Sequence, residues 1–194
     1  CCLSVDPPPV LGGCETAFAK GQWVWTTDPK SNLELLPSLN LTKNRWGWAI
    51  NLQSGGTVSY ELWAGAGLNQ TGNGTLVGSV TVAWTDTDDP EDLIADTVTV
   101  SYALLDGYRL AETHVYASKL PPNTLAPGQY GNLSYHSASE CTKSYSTLAL
   151  PLVDNVGPDT CRKAPKSTAA NPCSGVWIIA HAVVCDAGDA CLAP

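Results

Sequence analysis

The chain has 194 residues, which is enough for one domain with a substantial hydrophobic core. Its net charge of −8 argues against a nucleic-acid partner, because phosphate binding needs a basic face. No apolar run reaches the roughly 18 residues that a membrane-spanning helix requires. Only 14% of the residues are charged, against a usual fraction of roughly a quarter, so we expect another source of solubility, such as covalent glycans.

Apolar and polar residues alternate with a period of two along most of the chain, which predicts β-strands. In chain order, the predicted strands are 22–27, 46–52, 57–65, 75–86, 96–104, 109–118, 146–154 and 176–184. Pro151 places the strand at 146–154 on a sheet edge, since proline donates no ladder hydrogen bond. The strand at 176–184 is apolar on both sides, as a central strand would be.

Turn clusters rich in Gly, Pro and Asn separate these strands, and no segment has a convincing helical period. This pattern predicts an all-β fold, an antiparallel β-sandwich of jelly-roll or immunoglobulin-like type. The immunoglobulin Cys–Trp–Cys spacing is missing, which favours the jelly roll. We expect an extended N-terminal arm rich in Cys and Pro at residues 1–20 and a single sandwich domain at residues 21–194.

Eight cysteines lie near the two ends of the chain, and they are Cys1, Cys2, Cys14, Cys141, Cys161, Cys173, Cys185 and Cys191. An even number with this distribution predicts four disulfides that staple the ends together. Zinc ligation is the alternative, but the spacings are irregular and no CxxC pair occurs. If the N-terminal cysteines instead bond to the C-terminal cysteines of a neighbouring copy, a head-to-tail polymer results. The spacing leaves the pairing open.

Several features predict an extracellular glycoprotein. The chain begins with Cys and contains no Met, and the simplest expectation is removal of a secretory signal peptide. Four N-x-[ST] sequons predict glycosylation at Asn40, Asn69, Asn73 and Asn132. Disulfides, processing and glycans together place the protein outside the cell.

Two groups of side chains are candidates for a binding site. Glu112, His114 and Tyr116 project from one face of a predicted strand and could bind a ligand or a metal; the favoured interpretation is a solvent face packed under a loop, with His114 hydrogen-bonded. The acidic loop with Asp86, Asp88 and its neighbour Asp89 could hold Ca²⁺ through oxygen ligands, but the EF-hand Gly and Glu are absent. A solvated acidic turn is favoured there, so we expect no metal and no cofactor.

The seven tryptophans either fill the core or stack on sugar rings. Core packing is favoured for the pairs Trp23/Trp25 and Trp46/Trp48. Trp63 differs, because it lies opposite the apolar face of its strand beside Glu61. It is the best candidate for an exposed aromatic residue at a sugar contact or a subunit interface.

Catalytic motifs are missing: neither G-x-S-x-G nor H-E-x-x-H occurs. The two carboxylates of a glycosidase need not lie close in sequence and could be hidden among the 18 acidic residues. We nevertheless expect that the protein is not an enzyme.

The stretch GYRLAETHVYAS followed by LPPNTLAPGQYG, residues 107–131, resembles a motif of secreted β-sandwich modules from microbes and algae. With the sequons and the cysteine-rich arm, the chain is also similar to subunits of glycosylated extracellular filaments. These resemblances imply extracellular β structure and carry over no binding or catalytic residue. The resulting hypothesis is a secreted structural glycoprotein that self-assembles head to tail into a filament or coat. The alternatives are a carbohydrate-binding module and, third, a secreted hydrolase.

Overall fold

The computed structural model describes residues 9–26, 36–87, 96–124, 126–127, 130, 134–137, 142–152 and 175–188. These residues form twelve β-strands and two short 3₁₀ turns, and no α-helix occurs among them. The predicted all-β class is therefore confirmed. Within the same ranges, no helix has the length and apolar character needed to cross a bilayer.

The strands follow the chain in this order: β1 (Cys14–Ala19), β2 (Trp23–Thr26), β3 (Ser38–Thr42), β4 (Trp48–Leu52), β5 (Gly56–Ala64), β6 (Thr75–Thr85), β7 (Thr97–Leu104), β8 (Tyr108–Ser118), β9 (Ser134–Ser137), β10 (Ser144–Ser146), β11 (Leu150–Pro151) and β12 (Val176–Asp186). The two 3₁₀ turns, Gly67–Asn69 and Thr71–Asn73, connect β5 to β6.

Strand β12 lies at the centre of the sheet. It pairs with β8 along one edge, while β1 and β4 share its other edge. Its residues are buried on both faces, with only Val183 and the terminal Asp186 partly exposed. The prediction of a central strand at 176–184 is confirmed, because a strand covered on both faces reads as a continuous apolar run.

From β12 the sheet continues in two directions. On one side, the sheet runs through β1, β5, β6 and β7, and the outer edge of β7 pairs with β10 and β11. On the other side, it runs through β4 to β2 and β3. The β2–β3 pair is parallel, and all other described pairs are antiparallel. Pro151 lies in β11, whose described pairing is with β7 alone, as the edge-strand prediction requires.

The part of the sheet formed by β1, β5, β6 and β7 folds back over β12 and encloses the larger core. Tyr102 of β7 donates its hydroxyl hydrogen to the carbonyl oxygen of His181 in β12 at 3.1 Å, although three strands, β6, β5 and β1, lie between β7 and β12 along the sheet path. Ile178, Ala180 and Ala182 of β12 belong to this first cluster. Trp177 and Ile179, which point to the opposite face, belong to a second, aromatic cluster. The alternation of side chains along one strand therefore divides the core in two.

The base of the N-terminal arm is fixed at the end of β12. Cys14 and Cys185 form a disulfide within the chain. The carboxylate of Asp186 accepts hydrogen bonds from the amides of Leu11, Gly12 and Gly13, at 2.8, 2.9 and 3.1 Å. The hydroxyl of Tyr108 donates to the carbonyl oxygen of Pro9 at 2.6 Å.

These contacts correct one expectation about the arm and confirm another. Residues 14–19 form an interior strand of the sheet, so the arm ends at residue 13 and not at residue 20. The Cys14–Cys185 bond confirms one predicted disulfide between the two ends of the chain, and Cys14 is therefore not available for a bond to a neighbouring copy. The other six cysteines lie outside the described residues, and they are Cys1, Cys2, Cys141, Cys161, Cys173 and Cys191.

Candidate functional site: a cleft beside a buried histidine pair

Strand register places four ring-bearing residues in one row across the sheet. Trp63 of β5 pairs with Phe18 of β1, Phe18 pairs with His181 of β12, and His181 pairs with His114 of β8. Directly paired residues point to the same face of a sheet, so the four side chains share the face of the aromatic cluster. The row brings together residues from positions 18 to 181.

The two histidines contact each other directly. Their Nδ1 atoms are 3.3 Å apart, and Nδ1 of His114 lies 3.1 Å from Oε1 of Glu112. His114 is 9% exposed and His181 is 6% exposed. Burial, and secondly the neighbouring His114, lower the pKa of His181 to about 4. His181 is therefore neutral at physiological pH.

A cleft of about 320 Å³ opens beside the pair. Its lining consists of aromatic and polar side chains from β1, β2, β12, the β3–β4 connection and the loop after β8: Thr16, Phe18, Trp25, Asn44, Arg45, Trp46, Pro127 and His181. Concave sites that combine aromatic side chains with a few polar groups are common small-ligand sites. We call it the histidine cleft.

Phe18, the single phenylalanine of the chain, is the centre of the aromatic wall. Its ring centroid lies 4.7 Å from Trp25, 5.1 Å from Trp46 and 4.9 Å from His181. The contacts with both tryptophans are edge to face, an arrangement that the aromatic quadrupole favours. The wall is therefore held by ring packing around one buried residue.

Gly47 fixes the position of this wall. A Cβ atom there would lie 2.7 Å from the Trp25 ring, so only glycine leaves room for the indole. The carbonyl oxygen of Gly47 accepts from the backbone N–H of Trp25 at 3.3 Å and from Nδ2 of Asn69 at 2.9 Å. Gly47 thus ties β2 and the β5–β6 turn to the segment that carries Trp46.

A serine/threonine turn positions the polar rim. The amides of Asn44 and Arg45 both donate to the hydroxyl oxygen of Thr42, at 3.2 and 3.3 Å. Both residues are exposed. The rim therefore presents an amide and a guanidinium group beside the aromatic wall.

Glu112, His114 and Tyr116 share one face of β8, but their environments differ. Glu112 is partly exposed and contacts His114. The hydroxyl of Tyr116 donates to the carbonyl oxygen of Leu120 at 2.8 Å, and its ring packs edge to face on Tyr130. His114 is hydrogen-bonded as expected, but its partner is a second histidine inside the protein, which the interpretation as a solvent face did not include.

The tryptophans are mostly core residues. Trp25, Trp48, Trp84 and Trp177 are buried. Trp63 is half-buried, packs against the aromatic cluster, and donates its Nε1 hydrogen to Glu61 at 2.9 Å. It is thus less exposed than predicted and does not line the histidine cleft.

The predicted glycosylation sites have different surroundings. Asn40 and Asn73 are exposed. Asn69 is 2% exposed, and its Nδ2 atom, the atom to which a glycan would be attached, donates to Gly47. A glycan on Asn69 does not fit this arrangement. Asn132 lies outside the described residues.

The acidic loop gives no cation site within the described part of the chain. Asp86 is exposed, whereas Asp88 and Asp89 lie outside the described residues. Asp96 turns inward and accepts from the Thr87 amide and the Lys119 ammonium, each at 2.9 Å. Burial raises the pKa of Asp96, but the Thr87 and Lys119 contacts outweigh it and hold that pKa below its ordinary value. No group of three His, Cys, Asp or Glu residues suited to a metal ion occurs among the residues that the structure describes.

The cleft combines ring surfaces that can stack on an apolar ligand face with polar groups that can hydrogen-bond to the ligand rim. Sequence reasoning did not find it, because its walls come from segments up to 165 positions apart, as Thr16 and His181 show. No family model, no curated protein and no solved structure matches this chain.

Proposed function

We propose that the chain is a secreted β-sandwich glycoprotein, of jelly-roll type, that binds carbohydrate in the histidine cleft. One observation carries the binding proposal: Phe18, Trp25 and Trp46 meet in one cleft beside Asn44 and the neighbouring Arg45. A pyranose ring has an apolar face of C–H groups and a rim of hydroxyls. An aromatic wall with a polar rim offers a partner to both parts.

The sandwich assignment is supported by the packing of β7 over β12. Two clusters of buried side chains lie on opposite faces of β12, and the folded-back strands β1, β5, β6 and β7 enclose the first cluster. The Cys14–Cys185 disulfide supports an oxidising compartment. The exposed sequon residues Asn40 and Asn73 support N-glycosylation.

The binding proposal is tested on an array of neutral and charged oligosaccharides. We expect Trp46→Ala to weaken the best hit by about tenfold or more, because truncating a tryptophan at the centre of a contact removes most of its stacking area. Trp63→Ala is the matched control, since Trp63 is also half-buried in the aromatic cluster but lies outside the cleft lining. Equal weakening by both substitutions, with both variants folded, would contradict a site in the cleft.

A second candidate function is a subunit of an extracellular filament or surface coat. The observation that favours it is the fixed base of the arm: Asp186 and Tyr108 hold residues 9–13, while Val10 stays 80% exposed. A rigidly held segment with an exposed apolar side chain is suited to docking on a neighbouring copy.

Native material distinguishes the two candidates. Negative-stain images would show polymers if the chain assembles, and a non-reducing gel would show covalent multimers if cysteines outside the Cys14–Cys185 pair join copies. If the protein is monomeric in both assays, even at high protein concentration, the filament or coat function is ruled out. The binding proposal is not affected by that result.

A further inference from the structure

The lining of the histidine cleft includes one full positive charge. Among the described residues, Arg45 is the only charged one in the lining, and it makes no ion pair within them. A guanidinium group donates and never accepts. Its placement matters because the chain carries 18 acidic residues against 10 basic ones.

Trp25 carries a second donor beside the cleft. The residue is 2% exposed and lines the cleft, and its Nε1 is buried without a hydrogen-bond partner among the described residues. A buried indole N–H without a partner is costly, and such groups are usually satisfied by protein, water or ligand.

The hydrogen-bond geometry of the histidine pair makes His181 a third donor. The negative carboxylate of Glu112 lies 3.1 Å from Nδ1 of His114 and favours a proton on that nitrogen. A proton there is then donated to Nδ1 of His181, which lies 3.3 Å away. A neutral His181 then has its proton on Nε2, the remaining nitrogen of a ring that lines the cleft.

We infer that the histidine cleft takes the anionic group of an acidic saccharide, a uronate carboxylate or a sulfate ester, between the Arg45 guanidinium and the His181 imidazole N–H. This inference rests on the carbohydrate-binding function proposed above. An anionic group carries charge and only accepts, so the Arg45 guanidinium binds it more strongly than a neutral hydroxyl. Glu112 lies outside the lining, and its described contact is with His114.

The test is calorimetric titration of the folded chain with three oligosaccharides of equal length: an oligogalacturonide, a sulfated galactan and a neutral galactan. We expect at least one acidic probe to bind about tenfold or more tightly than the neutral one. The tighter of the two acidic probes identifies the anionic group. Arg45→Gln should remove most of this preference, and Arg109→Gln, which removes the same charge outside the cleft, should leave it unchanged.

The role of His181 has a separate readout. In the free protein, ¹⁵N spectra of the imidazoles should show the Nε2–H tautomer for His181. Binding of the sulfated probe should tighten a few-fold between about pH 7.5 and about pH 5.5, because the bound anion favours protonation of His181. Among the described residues, the charged and titratable groups facing His181 are Glu112 and His114 from β8 and Arg45 from the β3–β4 connection, while β1 presents Thr16 and Phe18. The dependence on pH should be lost in His181→Gln, whose amide still donates.

The outcomes separate the two proposals. Equal binding of the neutral and acidic probes, with no effect of Arg45→Gln, would overturn the acidic ligand class and leave carbohydrate binding in place. An Nδ1–H tautomer at His181 would overturn its role as a donor. Absence of binding to all three probes and to the whole array would overturn both this inference and the proposed function.

Discussion

Burial changes the chemistry of His181 more than its sequence context indicates. The residue lies in an apolar run, yet its ring contacts Phe18 on one side and His114 on the other. The cost of charging it inside the protein lowers its pKa to about 4, against an ordinary value of 6.5. The folded protein therefore binds fewer protons than the unfolded chain between these two pH values.

This difference makes stability depend on pH. The neutral form is favoured in the folded state, so stability is full above about pH 6.5, falls as the pH decreases, and levels off below about pH 4. We expect the free energy of unfolding to drop by as much as about 3 kcal/mol across this window. Urea denaturation at several pH values measures it, with His181→Gln as the non-titrating control. Parallel pH profiles of the two proteins would contradict the assignment.

At the scale of single residues, the sequence predicts where in a sheet a residue lies better than it predicts which other residue it contacts. Pro151 lies at a sheet edge as predicted, because its missing N–H is a local property. The partnership of His114 with His181 was not predictable, since it depends on the register between β8 and β12 across 67 positions. A register shift of one residue would turn one of the two side chains to the other face.

Among the elements, the junction of the N-terminal arm with β12 has the carboxylate of Asp186 at its centre. Three consecutive amides converge on Asp186, and the amide of Asp186 in turn donates to the carbonyl oxygen of Gly13 at 3.1 Å. Hydrogen bonds to a charged acceptor are stronger than those to a neutral one. The junction therefore depends on the charge of one side chain.

We expect Asp186→Asn to loosen this junction and to lower the free energy of unfolding by about 1–3 kcal/mol, because the amide side chain offers one neutral acceptor to three donors. Limited proteolysis near residues 9–13 should become faster. Asp106→Asn is the control: its carboxylate pairs with Lys143 on the surface, and its loss should leave both measurements unchanged. Similar behaviour of the two variants would show that the amide contacts do not hold the arm.

Strands with a long alternation of apolar and polar residues were predicted correctly. Strands that are defined mainly by their hydrogen-bonded neighbours, with no clear alternation in sequence, were missed. The strands β6, β7 and β12 were predicted within a few residues. The strand β1 was missed, because CETAFA carries too short an alternation and follows a proline-rich stretch. The parallel pairing of β2 with β3 was likewise not encoded in any local pattern.

For the whole molecule, the Cys14–Cys185 disulfide closes a loop with a sequence separation of 171. Chain-entropy arguments give such a loop an upper value of about 5 kcal/mol of stabilisation. We expect the double variant Cys14→Ser/Cys185→Ser to lose several kcal/mol in chemical denaturation, without a change of fold by circular dichroism. Substitution is preferable to reduction, because substitution acts on this bond alone. A variant as stable as the parent would mean that β1 and β12 hold the ends together without the bond.

The central position of β12 has a consequence for how the protein is made. The three strands that pair with β12 are β1, β4 and β8. They are synthesised before β12 and cannot complete their pairing until β12 is available. Until it arrives, their edges present unpaired amides and carbonyls, which are templates for wrong pairing between nascent chains. Folding of this sheet is therefore completed only after β12 has been synthesised, and the Cys14–Cys185 bond cannot form before then.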